Sequence, residues 1–484
     1  MSSLPYSFVK QSGVLLKQEA EEWIVVHKKE ASIQAISEAL RIAPKYPDLE
    51  CLSDSDFDET VVRFYQQEGG QSLAMAQGIG DDMDLASVAE ALPESEDLLE
   101  REGDAPIIRL INAIMSEAVK EEASDVHIET FERRLVVRFR VDGILREVIE
   151  PRRALAPMLV SRIKVMAKLD IAEKRVPQDG RIVLRISGQE VDVRVSTLPS
   201  SHGERIVMRL LNKQAGRLDL THLGMNESDR ERLRDVISHP HGILLVTGPT
   251  GSGKTTSLYA SLGYLNNGRR NIMTVEDPVE YHLEGIGQTQ VNSKADMTFA
   301  RGLRAILRQD PDVVMIGEIR DKETAEIAVQ ASLTGHLVLS TLHTNSAVGA
   351  ITRLEDMGVE PFLLSSSIVG VLSQRLVRKL CDTCKQPIQA DEASQALLGV
   401  DSDVTIYQAK GCDACFDQGY RGRVGLYELI LIDEGVKTLI HSQVGEQAME
   451  QHVRKSTPSL RQDGMSKVLA GQTTIEEVLR VSHG

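Results

Sequence analysis

Eight consecutive residues have the types and spacing to hold a phosphate. Gly248, Pro249, Thr250, Gly251, Ser252, Gly253, Lys254 and Thr255 fit the pattern G-x-x-x-x-G-K-[ST] without a mismatch. Glycines let a backbone bend around an anion so that successive N–H groups point at it, and a following helix start adds favourable partial charge. In this pattern the Lys254 ammonium reaches the outer phosphates of a nucleotide and the Thr255 hydroxyl holds Mg²⁺; Thr256 is counted with the nucleotide-binding residues.

Hydrolysis of ATP needs more than a cradle. It needs a metal, an oriented water and positive charge where negative charge develops. Three apolar runs supply candidates at their ends. Ile272-Met273-Thr274-Val275 runs into Glu276 and Asp277, and Val313-Val314-Met315-Ile316-Gly317 runs into Glu318. His336 opens and His343 closes the third run. Glu318, or Glu276 with Asp277, can orient water or hold the metal through water. His336 and His343 can sense the outer phosphate or bond neighbouring carboxylates.

A separate chemistry is written in the cysteines. Cys381 and Cys384 form one C-x-x-C knuckle and Cys412 and Cys415 another, with 27 residues between them. Four thiolates at about 2.3 Å around one ion make a closed tetrahedral zinc site, structural because no coordination position stays open. Redox chemistry is the alternative reading of a C-x-x-C pair. Cys51, the fifth, is expected to be a reduced, buried thiol.

The elements that must position these groups follow from the hydrophobic pattern. Ile243-Leu244-Leu245-Val246 reads as a buried strand ahead of the phosphate loop, and residues 255–265 as the helix after it. From about residue 239 strand and helix patterns alternate, which predicts a mostly parallel α/β sheet. In such a sheet the ends of the strands share one edge with the phosphate loop. Residues 236–484 form this domain, with the tetracysteine segment 381–415 inserted as a small loop domain.

Ahead of it, residues 106–235 read as an α+β domain. Ile107, Ile111, Ile114, Met115 and Ala118 share a helix face that Pro106 starts. Leu135, Val137, Phe139 and Val141 share a strand face, and Asp142-Gly143 signals a hairpin turn into a second strand. Residues 154–167 suit a helix. Strands over 181–186 and 190–198 join through Ser187-Gly188, and a last strand covers 205–211. Residues 1–75 look like a small independent binding domain, with helical periodicity at Ile33, Ile36 and Leu40. Residues 76–105 carry ten acids and one base and read as a mobile linker.

Charge narrows the classes. The net charge is −16, and residues 1–105 alone hold 22 acids against 8 bases, a net of −14. Residues 131–214 run the other way, with 18 bases and 10 acids. The overall balance disfavours nucleic acid as a partner. No run of 18 apolar residues is present and the first residues lack a secretory pattern, so a cytoplasmic location is expected. A nucleic-acid-translocating ATPase and a non-hydrolysing, nucleotide-gated scaffold are the rival classes.

The chain resembles the type II secretion ATPases within the wider secretion and type IV pilus ATPase superfamily. Beyond the phosphate loop the resemblance rests on Ser124-Asp125-Val126-His127-Ile128-Glu129, on Arg175 through Arg181, and on Ser196-Thr197-Leu198-Pro199 with His202-Gly203-Glu204-Arg205. It rests also on Val275 through Tyr281, on Met315 through Asp321, and on the His336 and His343 box. The resemblance covers about residues 105–484. It implies a RecA-like ATPase domain, a PAS-like α+β domain and a docking domain at the N-terminus. It implies a homo-hexamer on the cytoplasmic face of a bacterial inner membrane. Residues 1–105 would dock on the cytoplasmic domain of an inner-membrane secretion protein, and the ring would act on an inner-membrane platform protein, with acidic phospholipids a further candidate partner. It implies ATP, Mg²⁺ and Zn²⁺, and carries the four cysteines over as zinc ligands. It also implies that Arg194 and Arg209, from the α+β domain, neutralise the transferring phosphoryl group as arginine fingers do. The tetracysteine element argues against a pilus retraction motor. The pilus assembly ATPase is the nearest rival, with an N-terminal region that tends to be longer.

Overall fold

The computed structural model describes residues 12–19, 22–29, 31–42, 47–53, 57, 60, 105–186, 189–211, 219–400 and 403–482. The expected linker, apart from Ala105, and the Ser187-Gly188 turn lie outside these residues. The described residues group into two compact units. One gathers those up to Phe139 with Glu147–Glu190 and Val195–Met208; the other gathers Arg140–Arg146, Val191–Arg194 and the chain from Arg209 onward. Among the described residues no helix is long and apolar enough to cross a membrane.

The first strands are β1 (Val14–Glu19), β2 (Glu22–Lys28) and β3 (Asp48–Leu52), in a sheet ordered β1-β2-β3. A helix over Ile33–Ile42 covers it. Its packed face is not the expected one. Ala35 and Ala39 are buried with Ile36 against them, whereas Ile33 is exposed. Small residues let the helix lie close to the sheet, and Ile33 falls on the far side. Cys51 also differs from expectation. It sits on the edge strand β3 and is exposed, because only one flank of an edge strand is covered.

The next sheet has six strands, β4 (Asp125–Thr130), β5 (Leu135–Val141), β6 (Ile144–Ile149), β7 (Gln178–Ile186), β8 (Gln189–Ser200) and β9 (Gly203–Leu211), ordered β6-β5-β4-β9-β8-β7. Asp142 and Gly143 both have positive φ, 49° and 85°, as a two-residue hairpin turn requires. The helices Ala105–Lys120 and Ala156–Met166 bury their apolar faces. Lys164 is fully buried, paired with Glu204 and donating to the Glu173 carbonyl at 2.8 Å. Breaking a pair like this typically costs about 3–5 kcal/mol, because it strands a buried charge. The pair explains why the Glu173 loop keeps its place against the start of β9.

The largest sheet holds β10 (Gly242–Thr247), β11 (Ile272–Glu276), β12 (Gly287–Gln290), β13 (Val313–Ile316), β14 (Leu337–Leu342), β15 (Ile368–Leu380) and β18 (Tyr420–Leu431), ordered β12-β11-β13-β14-β10-β15-β18. All neighbours are parallel except β15 and β18. Both faces of the central strands are covered, so β10, β13 and β14 are buried along their whole length and largely apolar. Ile243 and Leu245 face a core with the helices Phe299–Ile306, Lys322–Leu333 and Val348–Asp356. Leu244 and Val246 face the opposite core with Glu227–Ile237 and Lys254–Leu265. The parallel α/β architecture expected from the sequence is thus present. Beyond the sheet, β15 and β18 run on together as an arm. At its tip lie the short strands β16 (Gln386–Gln389) and β17 (Thr405–Gln408).

Candidate functional site

The loop leaves β10 at Gly248 and enters the helix Lys254–Leu265. Its glycines are required by conformation, and Gly248 by space as well. Gly248, Gly251 and Gly253 have φ of 150°, 81° and 86°. A Cβ on Gly248 would lie 2.5 Å from the Gln374 carbonyl, and one on Gly253 would lie 2.8 Å from Gln374 Nε2. No side chain caps the helix start, so its first amides face the loop. The buried Ser252 hydroxyl has no hydrogen-bond partner among the described residues. These are the features of a loop shaped for an anion.

A cavity of about 500 Å³ opens over the loop. Thr250 through Thr256 line it, with Glu276, Asp277, Glu318, His343 and Arg209. The parallel sheet accounts for the meeting, since β10, β11, β13 and β14 end at one edge. Lys254 donates to the carbonyls of Gly248 at 2.7 Å and Pro249 at 3.2 Å. Burial holds its ammonium down to about 8; Glu318 pulls the other way, and the Arg375 guanidinium adds to the depression.

Glu318 is gripped from two sides. Arg320 donates to one oxygen, and His343 Nε2 lies 3.5 Å from the other. His343 is pushed below its ordinary value by burial first and then by Lys254. The hydrogen bond to Glu318 holds Arg320 above its own. Glu276 is in a different state. It is buried, with one oxygen bonded by the Tyr259 hydroxyl and the other by Thr274 Oγ1 at 2.5 Å and Gln288 Nε2 at 3.1 Å. Burial and the Glu276 charge push the Tyr259 phenol up, and Tyr281 up to about 12. Glu276 therefore spends its lone pairs on interior donors, while Glu318 keeps a face toward the cavity.

Arg209 lines the cavity. Arg194 reaches the segment after Asp277 instead, donating to the Val279 carbonyl at 3.1 Å and pairing with Glu280 at 3.3 Å. His336 is not brought to the site. It stands at the amino end of β14, and its Nδ1 lies 2.8 Å from the Ala331 carbonyl. The six residues of β14 put it about 20 Å from the edge where the loop lies. The expectation that it senses an outer phosphate fails on this placement. Gln374 and Arg375 were missed by sequence reasoning, as were Tyr259 and Gln288. Gln374 and Arg375 stood out as polar residues in the largely apolar β15, whereas Gln288 lies on the polar strand β12 and gave no such signal.

The four cysteines converge. Their sulfurs all lie within 4.8 Å of one another. Cys381 and Cys412 are 3.9 Å apart, Cys384 and Cys415 3.8 Å, and Cys412 and Cys415 3.8 Å. A tetrahedron with metal–sulfur bonds of about 2.3 Å has edges of about 3.8 Å, so the donor set fits a closed zinc site. A disulfide would need about 2.05 Å. Amides of Gly411, Cys412 and Gly419 donate to the sulfurs at 3.2–3.4 Å, the second layer that such thiolates need.

Known proteins are similar to this chain in sequence and in fold. A profile of the Type II/IV secretion system protein family matches residues 100–480, and one for an N-terminal domain of GSPII protein E matches residues 3–65. The Type II secretion system protein E of Pseudomonas aeruginosa is 64% identical over 481 residues, covering 99% of this chain and 96% of that protein. The Type II secretion system ATPase E of Vibrio cholerae is 58% identical over 484 residues, covering 99% and 96%. Among solved structures, the ATPase DotB of Legionella pneumophila has a TM-score of 0.58 at 20% identity, covering 79% of this chain and 97% of that one, a likeness of fold. The pilus retraction motor PilT with bound ADP has a TM-score of 0.53 at 25% identity, covering 77% and 96%. The match spans nearly the whole of the chain and of its relatives, and on it the chain belongs to the Type II/IV secretion system protein family.

Proposed function

We propose that this chain is the ATP-hydrolysing motor of a type II secretion system. It acts on the cytoplasmic face of a bacterial inner membrane and powers pseudopilus assembly and the export of folded proteins across the outer membrane. The observation that carries the reading is the cavity that joins the phosphate loop to Glu318, His343 and Arg209. Phosphoryl transfer is mostly positioning and electrostatics. Loop amides and Lys254 hold the triphosphate, Thr255 would hold Mg²⁺, and Glu318 orients the attacking water. Arg209 answers the charge that develops, and Arg194 steadies the segment beside Asp277. Bound Mg²⁺ would supply charge neutralisation between the outer phosphates.

The division into 1–75, 76–105, 106–235 and 236–484 belongs to this proposal, as does a homo-hexameric ring. ATP binding draws the arginine-bearing domain onto the phosphate-loop domain and hydrolysis releases it. The tetracysteine element holds zinc as a structural pin at the end of the β15–β18 arm. Residues 1–105 dock on the cytoplasmic domain of an inner-membrane secretion protein, a reading supported by the match of residues 3–65 to the GSPII protein E domain. The curated relatives named above are type II secretion proteins, which favours secretion over pilus assembly.

Replacing Lys254 with Ala lowers phosphate release by at least about 100-fold while the far-ultraviolet circular dichroism stays unchanged; near-normal turnover would remove the site assignment. Cys381→Ser or Cys412→Ser loses about one zinc per chain by elemental analysis, and an unchanged metal content would refute the zinc site. The full chain co-purifies with the cytoplasmic domain of its inner-membrane secretion partner, whereas a chain lacking residues 1–105 does not. Retention after that deletion would place the docking surface elsewhere.

A further inference from the structure

Arg375 lies beneath the phosphate loop, and nothing in the reaction just described uses it. It follows Gln374 on β15, just past Ser373, the last residue of that strand to pair with β10. The residue is nearly buried, 8% exposed. Nη2 donates to the Asn345 carbonyl at 2.8 Å and Nη1 to the Gln374 carbonyl at 3.2 Å. A Cβ on Gly248 would lie 3.2 Å from Nη1. The cation therefore sits against the first residue of the loop while holding the segment that carries His343.

Burying a guanidinium is costly unless charge or hydrogen bonds compensate it. Among the described residues this one bonds only carbonyl oxygens. The carboxylate that acts on it, Glu428, is itself bonded by Arg454 at 2.6 Å. A second link joins the same two segments. Thr247 Oγ1 and Thr344 Oγ1 are 2.5 Å apart, and the Thr344 amide donates to Thr247 Oγ1 at 3.2 Å. The exit of β14 is thus stitched to the root of the loop by a hydroxyl pair on β10 and by a cation on β15.

We infer that Arg375 is a positioning residue for ATP hydrolysis: it fixes the His343–Glu318 side of the cavity against the phosphate loop and keeps a second fixed positive charge under the phosphates. The inference rests on the hydrolytic reading above. The charged groups that act on Lys254 are Glu318, Arg375 and His343. Neutralising Arg375 removes one of the two causes that depress the lysine, so its midpoint rises. A purely structural role would leave that midpoint alone.

The test uses the full-length chain with Arg375→Gln and Arg375→Lys. Two quantities are read: steady-state ATP turnover, and the pH dependence of Lys254 acylation by peptide mass spectrometry. In Arg375→Gln, kcat falls about 10–100-fold with KM within about threefold, and the acylation midpoint rises above its wild-type value near 8. In Arg375→Lys the midpoint stays near 8 and the loss in kcat is smaller. Wild-type kcat in Arg375→Gln overturns the inference, as does an equal loss in both variants with no movement of the midpoint. Should Arg375→Gln not fold, Arg375→Met is read in the same way: a lower kcat with a raised midpoint supports the inference, and a midpoint at its wild-type value overturns it. If the wild-type chain binds but does not hydrolyse ATP, the hydrolytic reading fails, and the midpoint shift still reports whether Arg375 charges the loop.

Discussion

Gln374 comes so near the phosphate loop that its backbone leaves no room for a side chain at Gly248. Its carbonyl excludes a Cβ at Gly248, and its amide nitrogen lies 2.8 Å from where a Cβ on Gly253, already at positive φ, would stand. Its amide oxygen accepts from Ser257 Oγ at 2.7 Å, which holds the first turn of the helix after the loop. The pairing of β10 with β15 ends at Ser373, so the strand delivers Gln374 and Arg375 to the carboxyl edge of the sheet. That approach shapes the loop and holds the start of its helix, while the parallel sheet brings the facing groups to the same edge.

The same edge sets the electrostatics. Lys254 and Arg375 are both held below their ordinary values, chiefly by burial. Glu318 opposes this for Lys254 and is itself held by Arg320 and His343. Few charges in the site are free to rearrange, which suits a reaction in which preorganised dipoles and charges do most of the work. The Glu276 network with Tyr259, Thr274 and Gln288 is the contrasting case. It ties β11, β12 and the loop's helix together beside the cavity and leaves the carboxylate little capacity for water.

Much of this was legible in the sequence where chemistry is local. The phosphate loop is contiguous, and strand-end acids are found by their apolar runs. The cysteine knuckles announce themselves by spacing, and their sulfurs meet at tetrahedral distances. Long-range approach was not legible. Gln374 and Ser257 are 117 residues apart, and nothing in Ser373-Gln374-Arg375-Leu376 says that the strand passes under a glycine. His336 was misplaced for a related reason: a strand has two ends, and only one reaches the loop. Cys51 and Ile33 were misread because apolar spacing does not show which strand is the edge or which helix face finds the sheet.

The central claim is that the cavity over Lys254 hydrolyses ATP with Glu318 orienting the water. Its most direct test is to measure nucleotide affinity and phosphate release side by side for the Glu318→Gln chain. Affinity stays within about threefold of wild type and release slows by about 100-fold or more, the usual scale for losing a side chain positioned on the attacking water. Release near the wild-type rate would contradict it.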